Sequence, residues 1–101
     1  MVMTFDQSSA TVFPRIRAVS KVGAGAQSTG ITIRASTQPY VGFDCVRAAA
    51  CRWGDYAAAT PDPAAATGGT VGQVWVTSQW TAGGTSTSQA NWRTWNASVT
   101  P

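Results

Sequence analysis

A chain of 101 residues holds one small domain, and only 11% of its residues are charged, against a usual value of about 25%. Six Arg and one Lys face four Asp, a net charge of +3, and there is no Glu and no His. Those absences remove the commonest general base and its usual substitute, and the scattered Arg15, Arg17, Arg34, Arg47, Arg52 and Arg93 form no basic run of the kind that binds nucleic acid.

The N-terminal stretch Met1–Asp6 lacks the basic head and apolar core of a signal peptide. For an exported protein, the signal is then expected upstream of this chain. Residues 2–5 read as a short strand and 8–11 as a polar turn. From Val12 to Val19 the chain alternates, with Phe13, Arg15, Arg17 and Val19 on one face and Val12, Pro14, Ile16 and Ala18 on the other. That is the period of a strand. Pro14 favours the first residues of the strand or an edge position. Lys21 to Gly30 is a loop of Gly, Ala and Ser, and 30–35 a further strand with Ile31 and Ile33 on one face.

No period is sustained from Ser36 to Ala50. Pro39, Gly42 and the pair Cys45 and Cys51 mark a structured loop, and three alanines at 48–50 do not make a helix. A Cys45–Cys51 disulfide is favoured over two unrelated thiols, because an even pair beside turn residues suits an oxidising compartment. It would stabilise by roughly 2–3 kcal/mol in the chain-entropy model. Two Cys without His fall short of a zinc site, and the isolated Asp6, Asp44 and Asp62 form no calcium loop. No cofactor is expected. No apolar run approaches the roughly 18 residues of a membrane span.

Trp53 to Thr60 reads as a strand of small residues, since Gly54 within it and Pro61 after it oppose a helix. The Pro61-Asp62-Pro63 turn opens a loop to Gly72. Strands follow at 73–80 and 92–99, separated by a Gly/Ser/Thr loop. Trp75, between two valines, is expected in the core. Trp92 and Trp95, three apart, point to opposite faces of a strand. For Arg52, Trp53, Asp55 and Tyr56 two readings compete: a packed wedge with Arg52 and Asp55 in ion pairs, or a ligand site with Asp55 and Tyr56 turned outward. The packing reading is favoured, because aromatic side chains dominate packing energetics. The five tryptophans raise carbohydrate stacking as the alternative.

The order Arg52-Trp53-Gly54-Asp55-Tyr56, a run of small residues, Asp62-Pro63, a Trp-bearing strand and Trp92-Arg93-Thr94-Trp95 resembles the C-terminal segment of secreted bacterial β-propellers of the sialidase-like, BNR-repeat type. Phe13-Pro14 resembles the strand that precedes it. The resemblance implies an all-β fold of about one and a half propeller blades: a partial blade at 1–40, a connecting loop at 41–50 and a near-complete terminal blade at 51–101. It implies a non-catalytic structural or binding portion of an extracellular bacterial protein, with a glycan or a cell-surface component as partner. The alternative is a fragment of a sialidase-like glycoside hydrolase whose catalytic residues lie upstream. No arginine triad with a tyrosine nucleophile and no aspartate box is matched here, so sialidase activity does not carry over. Open strand edges predict self-association.

Overall fold

The computed structural model describes residues 1–47, 50–64, 72–83 and 91–101. Among these residues there are six strands and one short helix: β1 (Val2–Ser9), β2 (Val12–Ser20), β3 (Ile31–Ala35), α1 (Phe43–Arg47), β4 (Ala58–Pro61), β5 (Val74–Thr81) and β6 (Trp92–Val99). The expected loops at 61–72 and 81–91, and the three alanines at 48–50, fall largely outside the described residues.

The strands form two antiparallel sheets, ordered β1-β2-β3 and β4-β5-β6. The all-β expectation therefore holds. Among the described residues each sheet has three strands and neither closes on itself. In the first sheet Val2, Thr4 and Asp6 sit opposite Ser20, Ala18 and Ile16, on one face of the pleat. Arg15 and Gln7 pair on the other face, where Arg15 Nε and Nη2 both donate to Gln7 Oε1 at 2.9 and 2.8 Å. The register shifts between Ile16 and Arg17, leaving Ile33 as the extra residue of β3. Such bulges bend the strand, and Ile33 ends up against the core. Pro14 lies near the start of β2, beside the irregular end of the β1–β2 ladder.

In the second sheet the register Trp75↔Ser98, Thr77↔Asn96, Gln79↔Thr94 and Thr81↔Trp92 runs without a bulge. Val74, Val76, Ser78 and Trp80 point the other way, toward the first sheet. Ala18 of β2 meets Val76 and Val99 there, flanked by Val2, Ile33, Val74 and Ala97. Ile16 and Ala18 are each 1% exposed, as the alternation in β2 predicts. Two polar bridges cross between the sheets. Ser78 Oγ donates to Asp6 Oδ1 at 2.7 Å. The Arg34 guanidinium lies 3.9 Å from the ring centre of Trp80 and 4.3 Å from that of Trp95, an electrostatic attraction to the negative ring faces.

Three expectations need correction. The strand foreseen at 53–60 is confined to Ala58–Pro61, an exposed edge strand, because Gly54 turns the preceding chain away with φ +80°. Trp75 is not core: its side chain stands on the outer face of the second sheet, 45% exposed, since the valines beside it take the inner face. The 36–50 segment contains a single helical turn, α1, with Asp44 in its first turn and Arg47 in its last, the favourable ends for each charge.

Candidate functional site

Between β3 and β4 the chain passes the end of β5. Its attachment is polar. The Thr81 amide donates to Ser36 Oγ at 2.9 Å and Thr81 Oγ1 to the Gln38 carbonyl at 2.6 Å. Val41 N donates to Asn91 Oδ1 at 2.8 Å, and Asn91 Nδ2 to the Pro39 carbonyl at 3.2 Å. Thr81 and Asn91 are buried by this strap. These two residues spend their side chains on the strap's backbone, satisfying groups that burial would otherwise leave without partners.

Beyond the strap lies a cleft of about 340 Å³. Tyr40, Phe43, Trp53, Tyr56 and Trp92 give it apolar walls, and Asp44, Arg52, Asp55 and Gln79 supply its polar groups. Tyr40 and Trp53 meet at 5.2 Å between ring centres, tilted by 56°, a favourable offset for two rings. The Cys45–Cys51 disulfide forms as expected and brings the two Cα atoms to 4.2 Å. It holds Asp44 beside Arg52, whose amide donates to Asp44 Oδ2 at 2.8 Å. Tyr40 Oη donates to Asp44 Oδ1 at 2.8 Å. Both bonds favour the charged carboxylate, so Asp44 is held below the usual carboxylate range. Burial, and the bond given to Asp44, push the Tyr40 phenol up to about 12. A Cβ at Gly42 would lie 2.6 Å from both Tyr40 Oη and Asp44 Oδ1, so this arrangement needs glycine there.

The segment 52–56 forms the opposite wall. Gly54, at positive φ, donates its amide to Gln79 Oε1 at 3.0 Å, which ties the turn to β5. Arg52 Nε donates to Asp55 Oδ2 at 2.6 Å, and this bond keeps the guanidinium more firmly protonated. The pair is open to solvent, with Arg52 77% and Asp55 39% exposed, so it adds little to stability. Trp53 faces inward, its indole N–H buried without a hydrogen bond of good geometry, yet near enough to Asp6 to favour the ionised carboxyl there. Burial outweighs this and the Ser78 bond, and raises the Asp6 pKa.

All four residues singled out from the sequence, Arg52, Trp53, Asp55 and Tyr56, thus line one cleft. Of the packing expected of them, the Arg52–Asp55 ion pair forms and Trp53 is partly buried. Tyr56 is 76% exposed, because the turn at Gly54 directs it outward. Sequence reasoning missed Tyr40, Phe43, Asp44 and Gln79, and did not bring Trp92 to this segment. The available signal was Tyr40-x-Gly42-x-Asp44 immediately before Cys45.

A second depression of about 190 Å³ lies on the outer face of the second sheet, among Ala58, Thr60, Trp75, Thr77 and Asn96. Trp75 Nε1 donates to Asp62 Oδ2 at 3.1 Å, and Asp62 Oδ1 accepts the Ala64 amide at 2.9 Å. Asp62 therefore serves as a turn residue that also fixes an indole. No group of three metal-ligating side chains occurs among the described residues, and no helix among them is long and apolar enough to cross a membrane. Comparison with known proteins finds no matching family model, no matching curated protein and no matching solved structure.

Proposed function

We propose that this chain is the non-catalytic, glycan-binding portion of an extracellular protein of propeller type, with the cleft between 40–56 and Trp92 as its binding site. The observation that carries the reading is the cleft itself: five aromatic side chains beside a few polar groups. A sugar ring presents apolar C–H faces to aromatic rings and hydroxyls to hydrogen-bonding groups at its rim. The disulfide fits an oxidising compartment. Two antiparallel meanders packed face to face suit neighbouring blades.

Catalysis is the less favoured use of the cleft. Glycosidases commonly pair a carboxylate with a carboxylic acid of raised pKa. Asp44 is shifted in the opposite direction, Asp55 is engaged by Arg52, and Asp6, whose pKa is raised, is not on the cleft wall. A glycan panel probed with the parent chain and with Tyr56→Ala and Trp92→Ala tests the proposal. Binding by the parent and loss in both variants, at unchanged melting temperature, is the expected result. No binding anywhere on the panel would sink it, and turnover of a chromogenic glycoside would favour a hydrolase fragment.

A further inference from the structure

The charge of the cleft differs in sign from that of the chain. The whole chain is net +3, yet the cleft wall holds two carboxylates, Asp44 and Asp55, against the single guanidinium of Arg52. That guanidinium is already committed to Asp55 at 2.6 Å. Arg47 and Arg93 are not on the wall, and Arg93 Nη1 is turned onto the Trp92 carbonyl at 2.8 Å. Asp44 therefore stands as an ionised group with no cation opposite it. It accepts one bond from the Tyr40 hydroxyl and one from the Arg52 amide, both neutral donors. Around it stand Tyr40, Phe43 and Trp53, whose ring faces carry negative quadrupole charge.

Aromatic faces and a carboxylate attract the same kind of ligand group. A cation over a ring is favoured, and a carboxylate without a protein counter-ion adds to this. An acidic sugar meets the reverse. Its carboxylate needs an unpaired guanidinium, and here the only one on the wall belongs to Asp55.

We propose that the glycan taken by this cleft is an amino sugar with a free ammonium group, held between the aromatic walls and Asp44, in preference to N-acetylated, neutral or acidic sugars. This rests on the glycan-binding reading above and narrows it.

Three tetrasaccharides that share a β-1,4-linked glucose backbone isolate the ammonium group: the chitosan tetramer, the chitin tetramer and cellotetraose. They carry an ammonium, an acetamide or a hydroxyl at the same carbon. By calorimetry at low salt, the chitosan tetramer should bind about tenfold tighter than the other two, the size of one cation–π contact at a partly open site. That preference should shrink as salt is raised. Asp44→Asn should remove it. Because that variant loses one of two hydrogen-bond acceptors in the loop, Arg52→Gln supplies an independent arm. It frees Asp55 and adds a net negative charge, so it should tighten the chitosan tetramer and raise its preference over cellotetraose several-fold. A misfolded loop would weaken both ligands, so this gain separates charge from structure. Equal or tighter binding of chitin or cellotetraose, or no gain in Arg52→Gln, overturns the ammonium proposal and leaves glycan binding standing. Failure of all three to bind, with a blank glycan panel, removes the underlying reading as well.

Discussion

The space between the two sheets and the cleft outside them keep their apolar side chains at different depths. Between the sheets the buried apolar residues are small or medium: Ile16, Ala18, Val76 and Val99. In the cleft large ones stand open, and Phe43, Tyr56 and Trp92 there are 52%, 76% and 42% exposed. Fully burying a large aromatic removes about 150–250 Å² from water. Leaving several of them open, in a chain with so modest a core, forgoes stability that packing could have supplied. The difference separates two tasks. The inner face keeps the sheets together, and the outer aromatics are free to be judged by what they touch.

That contrast can be broken most directly at its two extremes. Ile16→Ala should cost about 2–4 kcal/mol, the usual range for truncating a buried aliphatic side chain. Tyr56→Ala should stay within about 0.5 kcal/mol, as surface substitutions do. Urea unfolding followed by circular dichroism measures both. A larger loss at Tyr56 than at Ile16 would mean that the cleft is part of the core.

Reducing the Cys45–Cys51 bond should cost about 2 kcal/mol in the chain-entropy model. It should also release Asp44 from Arg52, so glycan affinity should fall further than stability does. Parallel melts and binding isotherms with and without reductant separate the two. Equal stability with full binding after reduction would show that the loop is organised by its hydrogen bonds alone.

A smaller effect is expected at Gly42→Ala. The added methyl must displace Tyr40 or Asp44, and the phenol should titrate back from about 12 toward the ordinary value near 10. Spectrophotometric titration of tyrosinate reads this in one experiment. An unchanged titration would mean that the loop relaxes around the methyl.

The smallest effect concerns pH. Burial raises the Asp6 pKa, so the folded state holds that proton to a higher pH than the unfolded chain does. Its contribution to stability therefore declines as pH rises from the unfolded value near 3.9 through the folded one. Asp44 has the opposite sign. Its depressed pKa gives stability that is present above about pH 4 and is lost as pH falls through the folded value. Asp6→Asn keeps an acceptor for Ser78 and removes the buried charge. Its melting temperature at pH 7 should equal or slightly exceed the parent's, with the gap closing in acid. A marked drop at pH 7 would show that the Ser78 bond requires the charged carboxylate.

Much of the framework was legible in the sequence. The alternation of Ile16 and Ala18 with Arg15 and Arg17 set the inner face of β2, and the spacing of Cys45 and Cys51 set the bridge. Trp75 shows where such reading stops. Periodicity separates the two faces of a strand but does not say which is covered, and here the neighbouring valines won the inner face. The cleft was half visible. Residues 52–56 stood out by composition, whereas Tyr40, Gln79 and Trp92 join them only through the strap that folds across the end of β5. That strap rests on contacts such as Val41 with Asn91, 50 residues apart in the chain, and no local pattern encodes them.

The bracket of Arg34 between Trp80 and Trp95 has an optical consequence. The two indoles lie 6.1 Å apart at 80°, close enough for their transitions to couple and to add an ellipticity that no peptide bond produces. A secondary-structure content fitted from the far-ultraviolet spectrum alone would absorb that signal and misjudge the strands. The same coupling makes a reporter. The two rings stand on adjacent strands of one sheet while the guanidinium arrives from the other, so parting the sheets would loosen the rings before either ladder melts. The aromatic band should then fade ahead of the backbone signal on heating.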